Sequence, residues 1–336
     1  VQFHPTGLLG GRDTRMTGTV LEEGLRGAGG YLLDGNGRRF MHDYDAAAER
    51  ATRDIVSRAI YAEMRAGRTT PNGGVYIAMN HLGPEVVAKK FPGMVKRCAD
   101  CGFDLAGGQV EVVPTAHYLM GGVVVDPDTR CGLPGLFVAG EDAGGAHGAN
   151  RLGGNGVANS TVFGGIAGDE MAAYAASQRA WADPDATAVE AGIEQALIPF
   201  RQPAGDINTL RDRLLDLMWD RVGVLRDAAG IAAAQAGLEA LKAELSNTGI
   251  GAAGREFNLS WHDWLNLHSL LEVSEVIAAA ALSRENSRGA HYREDFTDAG
   301  SLEESYFTVA RRESGELRVE RAPVQFTIVK PGESLI

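Results

Sequence analysis

Apolar residues return every third or fourth position through the C-terminal half of this chain. Through the N-terminal half they fall into short, broken runs. Leu210-Arg-Asp-Arg-Leu-Leu-Asp-Leu-Met218, Ala228 to Leu245, and the set Trp261, Trp264, Leu265, Leu267 and Leu271 keep the helical period, so residues 187–290 read as a helical bundle. His262 and His268 fall inside the last of these patterns and read as surface or core-edge residues. Thr52 to Ala66 and Pro84 to Cys101 predict two earlier helices, and Gly156 to Tyr174 a third. The runs Gly30-Tyr-Leu-Leu33, Gly121-Gly-Val-Val-Val-Asp126 and Gly135 to Gly140 read as strands, with turns at Asp126-Pro-Asp128 and a linker at Asp183-Pro-Asp185. Residues 303–329 alternate apolar and polar positions, as short antiparallel strands do.

Composition narrows the class. A chain of 336 residues has room for two or three domains with substantial cores. Its 44% hydrophobic and 23% charged residues describe an ordinary globular protein. A net charge of −12 without a Lys/Arg run argues against nucleic acid and against an anionic membrane surface. The most apolar stretch, Val276 to Leu282, is too short to span a bilayer, so no direct membrane insertion is expected. Three cysteines cannot all pair, which suits a reducing, cytoplasmic setting. Cys98-x-x-Cys101 has no second pair beside it and reads as ordinary thiols; no metal site is expected. Gly249-Ile-Gly-Ala-Ala-Gly254 matches the dinucleotide fingerprint, but it follows a helical pattern instead of a strand. Gly249 therefore reads as a helix cap and not as a phosphate loop.

The candidate chemistry lies earlier. His147-Gly-Ala-Asn-Arg-Leu-Gly-Gly-Asn155 joins an apolar run ending in Gly140-Glu141 to a helix start. Glycines let a backbone approach a ligand closely, and the free N–H groups of a helix N-terminus favour negative charge. Arg151 places a planar fork suited to a carboxylate or phosphate inside that loop. A tight structural turn would also account for the glycines alone. Four further segments embed polar groups in apolar or glycine-rich surroundings: His4-Pro-Thr-Gly7, Glu22 to Gly30, Ala51 to Arg58, and Pro114-Thr-Ala-His-Tyr-Leu-Met-Gly-Gly122.

In order and wording, these five segments resemble the flavoprotein subunits of succinate dehydrogenase and fumarate reductase, with L-aspartate oxidase as a close relative. The resemblance runs from Val1 to about Phe296 and is densest before Gly165. It implies a multidomain α+β and α/β fold. Residues 1–112 would form a mixed capping domain and 113–182 the C-terminal part of a Rossmann-like FAD-binding domain. A helical domain would follow over 183–296, and a β extension over 297–336. Val1-Gln-Phe-His-Pro reads as a strand entered partway, so the chain is expected to be a fragment that lacks the N-terminal, ADP-binding part of the FAD site and is not active alone.

The resemblance also implies roles. Arg53 would exchange the proton while FAD carries the hydride at N5, with Glu23 and Arg26 as the relay behind it. His4, His117 and Arg151 would clamp the carboxylates of a small dicarboxylate substrate, with Thr6 and Glu22 also lining the substrate site. Gly140, Glu141 and the backbone of Asn155, Gly156 and Val157 would face FAD. Glu22 stands where the family usually has threonine, and Asn155-Gly-Val-Ala158 where it has Asn-Ser-Leu-Leu. These departures keep L-aspartate oxidation or reduction of another unsaturated acid open beside succinate/fumarate interconversion. A non-catalytic fragment that only contacts a partner is a third reading. The resemblance implies an iron–sulfur subunit as that partner and, through partner subunits, a peripheral place at the inner membrane as the alternative to a purely cytoplasmic one.

Overall fold

The computed structural model describes residues 1–10, 16–178, 180 and 183–333. They fall into two compact units, Val1–Met171 with Arg288–His291, and Ala172–Ser287 with Tyr292–Ile336.

In the first unit, β1 (Gln2–Leu8) leads through the single turn α1 (Gly24–Gly27) to β2 (Tyr31–Leu33) and the helix α2 (Arg53–Arg65). Next come β3 (Val75–Ala78), α3 (Pro84–Lys90), α4 (Pro92–Ala99), β4 (Gln109–Tyr118) and the long helix α5 (Asn155–Ser177). The four strands form one antiparallel sheet in the order β1-β4-β3-β2. Helix α2 packs across β1 and β4, burying Val56, Ala59 and Ile60 against Leu8, Val75, Ile77, Val110 and Val112. Its C-terminal end is anchored by Glu63, a buried carboxylate that accepts from Tyr44 Oη at 2.6 Å and from Arg68 Nε at 2.6 Å.

Three expectations change here. The helix over Pro84–Cys101 is two helices, because Pro92 has no N–H to continue the ladder and Phe91 leaves helical geometry at φ −127°, ψ 50°. The strands expected at 121–126 and 135–140 reduce to single bridges, Val123 with Ala143 and Arg130 with Phe137. A strand needs a neighbour to satisfy its ladder, and Val124 and Leu136 instead stand exposed. Helix α5 likewise buries only Asn159 and Ala167 along its length.

The second unit is the expected helical bundle. It comprises α6 (Ala186–Leu197), α7 (Ile207–Val222), α8 (Ala228–Ser246) and α9 (Leu259–Ser283), followed by the hairpin of β5 (Tyr306–Glu313) and β6 (Glu316–Pro323). Aspartates at 185, 206 and 227 cap the first three helices, and Asn258 caps α9, each accepting from backbone N–H groups. Strand pairing in the tail stops at Pro323, short of the expected 329. The glycine motif at 249–254 lies between α8 and α9, and Asn247, not Gly249, is the C-cap. By length and composition α9 could cross a membrane, which the short window at 276–282 missed. Its Trp264, Leu267, Leu271, Ala278 and Ala281 are buried in one cluster with Leu214, Leu238 and Leu241, as in a core helix. His262 is exposed, and His268 stacks on Trp264 with ring centroids 6.0 Å apart.

Candidate active site

Two irregularities in the β1–β4 ladder shape the site. Gln2 faces Tyr118 but Phe3 faces Ala116, so His117 is an extra residue bulged out of β4. A second shift lies between His4 and Gly7, where Pro5 and, across from it, Pro114 cannot donate to the ladder. Bulges re-aim side chains. Here the result is that the rings of His4 and His117 meet edge to face, 5.3 Å apart.

His4 is buried and accepts at Nδ1 from the Thr6 N–H at 3.3 Å, which leaves its other nitrogen as the donor. Thr6 is spent on the scaffold, its hydroxyl donating to the Leu21 carbonyl at 2.9 Å. Burial, then Arg53, lowers the His4 pKa to about 2. His117 is held below the usual histidine value by partial desolvation, then by Arg53 and Arg151. Both rings are therefore neutral donors at ordinary pH.

Arg53 is the first residue of α2, so its position follows from where Thr52 starts the helix. Its Nε and Nη2 both donate to Glu23 Oε2, at 2.9 and 2.7 Å. Glu23 stands at the N-cap position of α1 without a side-chain capping bond, and Arg26 follows one turn on, the i, i+3 pair expected of that sequence. Arg26 Nη2 lies 3.4 Å from Glu23 Oε1, close enough to attract but not aligned as a hydrogen bond. Its Nη1 donates to the Glu49 carbonyl at 2.6 Å. The Arg26 side chain is 1% exposed and that of Glu23 44%, so the path outward from Arg53 runs through Glu23. Burial, opposed by Glu23, keeps Arg26 below the usual arginine value.

Arg151 comes in on the glycine-rich loop. Its guanidinium lies 4.3 Å above the Tyr118 ring, Nη1 donates to the Leu152 carbonyl at 3.2 Å, and its buried Nε has no partner. Arg26 Nε and Nη2 are buried without a partner in the same way, so the two guanidiniums carry more donors than the surrounding protein satisfies. Tyr118 is itself held: His147 Nε2 lies 3.3 Å from its hydroxyl, and Asn159 Nδ2 donates to it at 3.4 Å. Gly156 is dictated by that ring, since a Cβ there would sit 2.9 Å from Tyr118 Cε2. A Cβ on Gly153 would sit 3.4 Å from Glu23 Oε2 and 3.6 Å from Arg53 Nη2, so the loop passes within ordinary contact distance of the pair.

The residues expected to face the cofactor adjoin this cluster through Asn159 and Tyr118. Gly140 is buried and offers its carbonyl to Asn159 Nδ2 at 3.0 Å, while Glu141 accepts from the Leu119 N–H at 2.8 Å. Asn155, Gly156 and Val157 open α5, and Val157 is 75% exposed. This exposed, glycine-containing helix start suits an electron-rich ring edge. Glu22 is exposed beside the site, and among the described residues no cation pairs with its carboxylate. The structure thus gathers His4, Thr6, Glu23, Arg26, Arg53, His117 and Arg151. Gln2, Tyr118, Asn150 and Asn159 join them unforeseen. Away from the site, Cys98 is buried and its thiol is pushed up to about 12, mainly by burial.

Residues 1–157 match the FAD binding domain family model, and 211–335 match the model of the fumarate reductase flavoprotein C-terminus. Fold and family matches together define a flavoprotein, whose candidate site is lined by arginine and histidine. One component of the CoM/CoB fumarate reductase of Methanothermobacter marburgensis is 40% identical over 303 residues, 89% of this chain and 54% of that protein. The L-aspartate oxidase of Synechocystis is 32% identical, over 88% of this chain and 55% of that one. A quinol-fumarate reductase solved with menaquinol superposes with a TM-score of 0.87 at 32% identity, covering 99% of this chain and 60% of that chain. The chain belongs to the fumarate reductase and succinate dehydrogenase flavoprotein family. It spans about half the length of the curated relatives it matches.

Proposed function

We propose that this chain carries the substrate-side chemistry of a flavin-dependent oxidoreductase that interconverts a small dicarboxylate and its α,β-unsaturated form. The observation that carries this reading is the pair of arginines. Arg151 has a buried, unpartnered Nε, and Arg53 stands beside it on a partly exposed carboxylate, with two neutral histidines alongside. Arginine stays charged at working pH and matches carboxylates with a fork of donors. His4 and His117, uncharged, can donate to a carboxylate without adding cost to the buried cations.

FAD, when bound, supplies hydride exchange; Gly140, Glu141, Asn155, Gly156 and Val157 would hold it. The chain's own residues do the rest. Arg151 and the histidines fix the carboxylates, and Arg53 stabilises developing negative charge and exchanges the proton at the neighbouring carbon. Glu23, exposed to water, returns that proton to solvent, while Arg26 steadies Glu23 from the buried side. Relatives named as subunits support reading the chain as one member of a complex, with an iron–sulfur partner and a peripheral membrane position.

The test is turnover by the intact, FAD-loaded enzyme that contains this chain, on fumarate, succinate and L-aspartate, for the parent and two variants. Arg53→Lys should cut kcat by about a hundredfold or more with little change in KM, because its charge acts in the transition state. Arg151→Gln should chiefly raise KM. Oxidation of L-aspartate with no action on either dicarboxylate would replace this reading with the amino-acid one.

A further inference from the structure

We infer that Gln2 is the positioning residue that sets the two site arginines against each other, an assignment that rests on the function proposed above. Its side chain is fully buried at the head of β1, opposite Tyr118 and beside the His117 bulge. Its amide is divided between the two arginines. Oε1 accepts from Arg53 Nη1 at 3.3 Å, while Nε2 donates to the Arg151 carbonyl at 2.8 Å and to Asn150 Oδ1 at 2.9 Å. Asn150 passes the connection on, donating from Nδ2 to Asp54 Oδ1 at 2.9 Å. Asp54 follows Arg53 in the first turn of α2 and pairs with Arg58 at 3.1 Å. A closed circuit therefore runs from Arg53 through Gln2, Asn150 and Asp54 back to the same helix turn. It pins the loop that carries Arg151 to the helix that begins with Arg53.

The partners fix the residue type. Arg53 can only donate and the Arg151 carbonyl can only accept, so the amide has one workable orientation. A carboxylate has no proton for the Arg151 carbonyl, and a lysine has no acceptor for Arg53. An asparagine is one methylene shorter. The amide is also uncharged. It holds Arg53 without giving the guanidinium a second carboxylate beside Glu23, so the cation remains available to a bound anion and to the reaction.

The experiment compares Gln2→Met, Gln2→Glu and Asn150→Ala with the parent in the intact, FAD-loaded enzyme that contains this chain. Steady-state kinetics are measured across pH, with amide hydrogen exchange of residues 147–151. Gln2→Met and Asn150→Ala should each speed exchange in that loop. Gln2→Met should lower kcat between about ten- and a hundredfold, as expected for a small misplacement of reacting groups. Gln2→Glu should lower kcat as well and should also move the pH–rate profile to higher pH, which loss of packing alone would not do. Parent-like kcat and pH profile in both Gln2 variants would overturn the assignment, whatever their melting temperatures. Should Gln2→Met fail to fold, Asn150→Ala decides: unchanged loop exchange in that variant overturns the pinning circuit. If the parent turns over no dicarboxylate, the proposed function fails instead, and the exchange data still judge the circuit by themselves.

Discussion

His4 is a base that the fold keeps from acting as one. Buried, and facing Arg53, His117, Arg26 and Arg151, it has its pKa lowered from 6.5 to about 2. The unfolded chain takes up a proton there below about pH 6.5, while the folded chain refuses it until near pH 2. Stability from this group is therefore complete above about 6.5 and drains away as pH falls through the window beneath it. His117 and His147, also lowered, act in the same sense. We expect the melting temperature to fall between pH 7 and pH 5, and His4→Gln to flatten that fall, as differential scanning fluorimetry across pH would show. An unchanged slope in the variant would remove His4 as its source. Residues of this kind could be singled out in the sequence because the segments that carry them resemble those of a known flavoprotein family. Gln2, Tyr118 and Asn150 were not, since an amide or a phenol in an apolar run also serves as filler. Their role depends on the bulge at His117, which no spacing announces.

At the scale of elements, periodicity found the helices α2, α7, α8 and α9, whose apolar stripes face one core each. It failed where an element depends on a neighbour. The runs at 121–126 and 135–140 are apolar enough for strands, yet a strand is defined by what pairs with it. The break between α3 and α4 was written in Pro92, but a helical stripe on either side masked it. Helix α2 matters most, because its first residue is Arg53 and its far end is tied down by Glu63. That carboxylate is 1% exposed and is held below the usual carboxylate range, chiefly by Arg68. The arginines it pairs with, Arg68 and Arg38, are each more than a third exposed and would be solvated once the carboxylate is gone. Glu63→Ala should therefore cost about 1 kcal/mol in chemical denaturation, from the lost hydrogen bonds. A loss under about 0.5 kcal/mol would mean that the cluster is solvated like an ordinary surface pair. Gly156→Ala tests the other end of the site. Its methyl would press on Tyr118 and tilt the platform under Arg151, so substrate KM should rise more than kcat falls. The reverse split would argue that the ring does not govern Arg151.

On the scale of the whole molecule, the described residues include two hydrophobic clusters that share no member. One lies between α2 and the four-stranded sheet, and the other lies among α7, α8 and α9. Each belongs to its own compact unit, and the candidate site draws only on the first. Hydrophobic stabilisation is local to the surface it buries, so damage to one core should be felt first in its own unit. Ile60, 0% exposed, and Leu241, 4% exposed, are matched probes. Truncation of either to alanine should cost roughly 2–5 kcal/mol, from lost transfer energy and the cavity left behind. Ile60→Ala should speed amide exchange across β1, β3 and β4 and weaken substrate turnover, while leaving α7–α9 protected. Leu241→Ala should expose α7–α9 and leave both the sheet and the arginine pair as they were. If each variant instead loosened both regions equally, the two cores would be one cooperative system, and the chemistry would depend on the helical bundle as much as on the sheet.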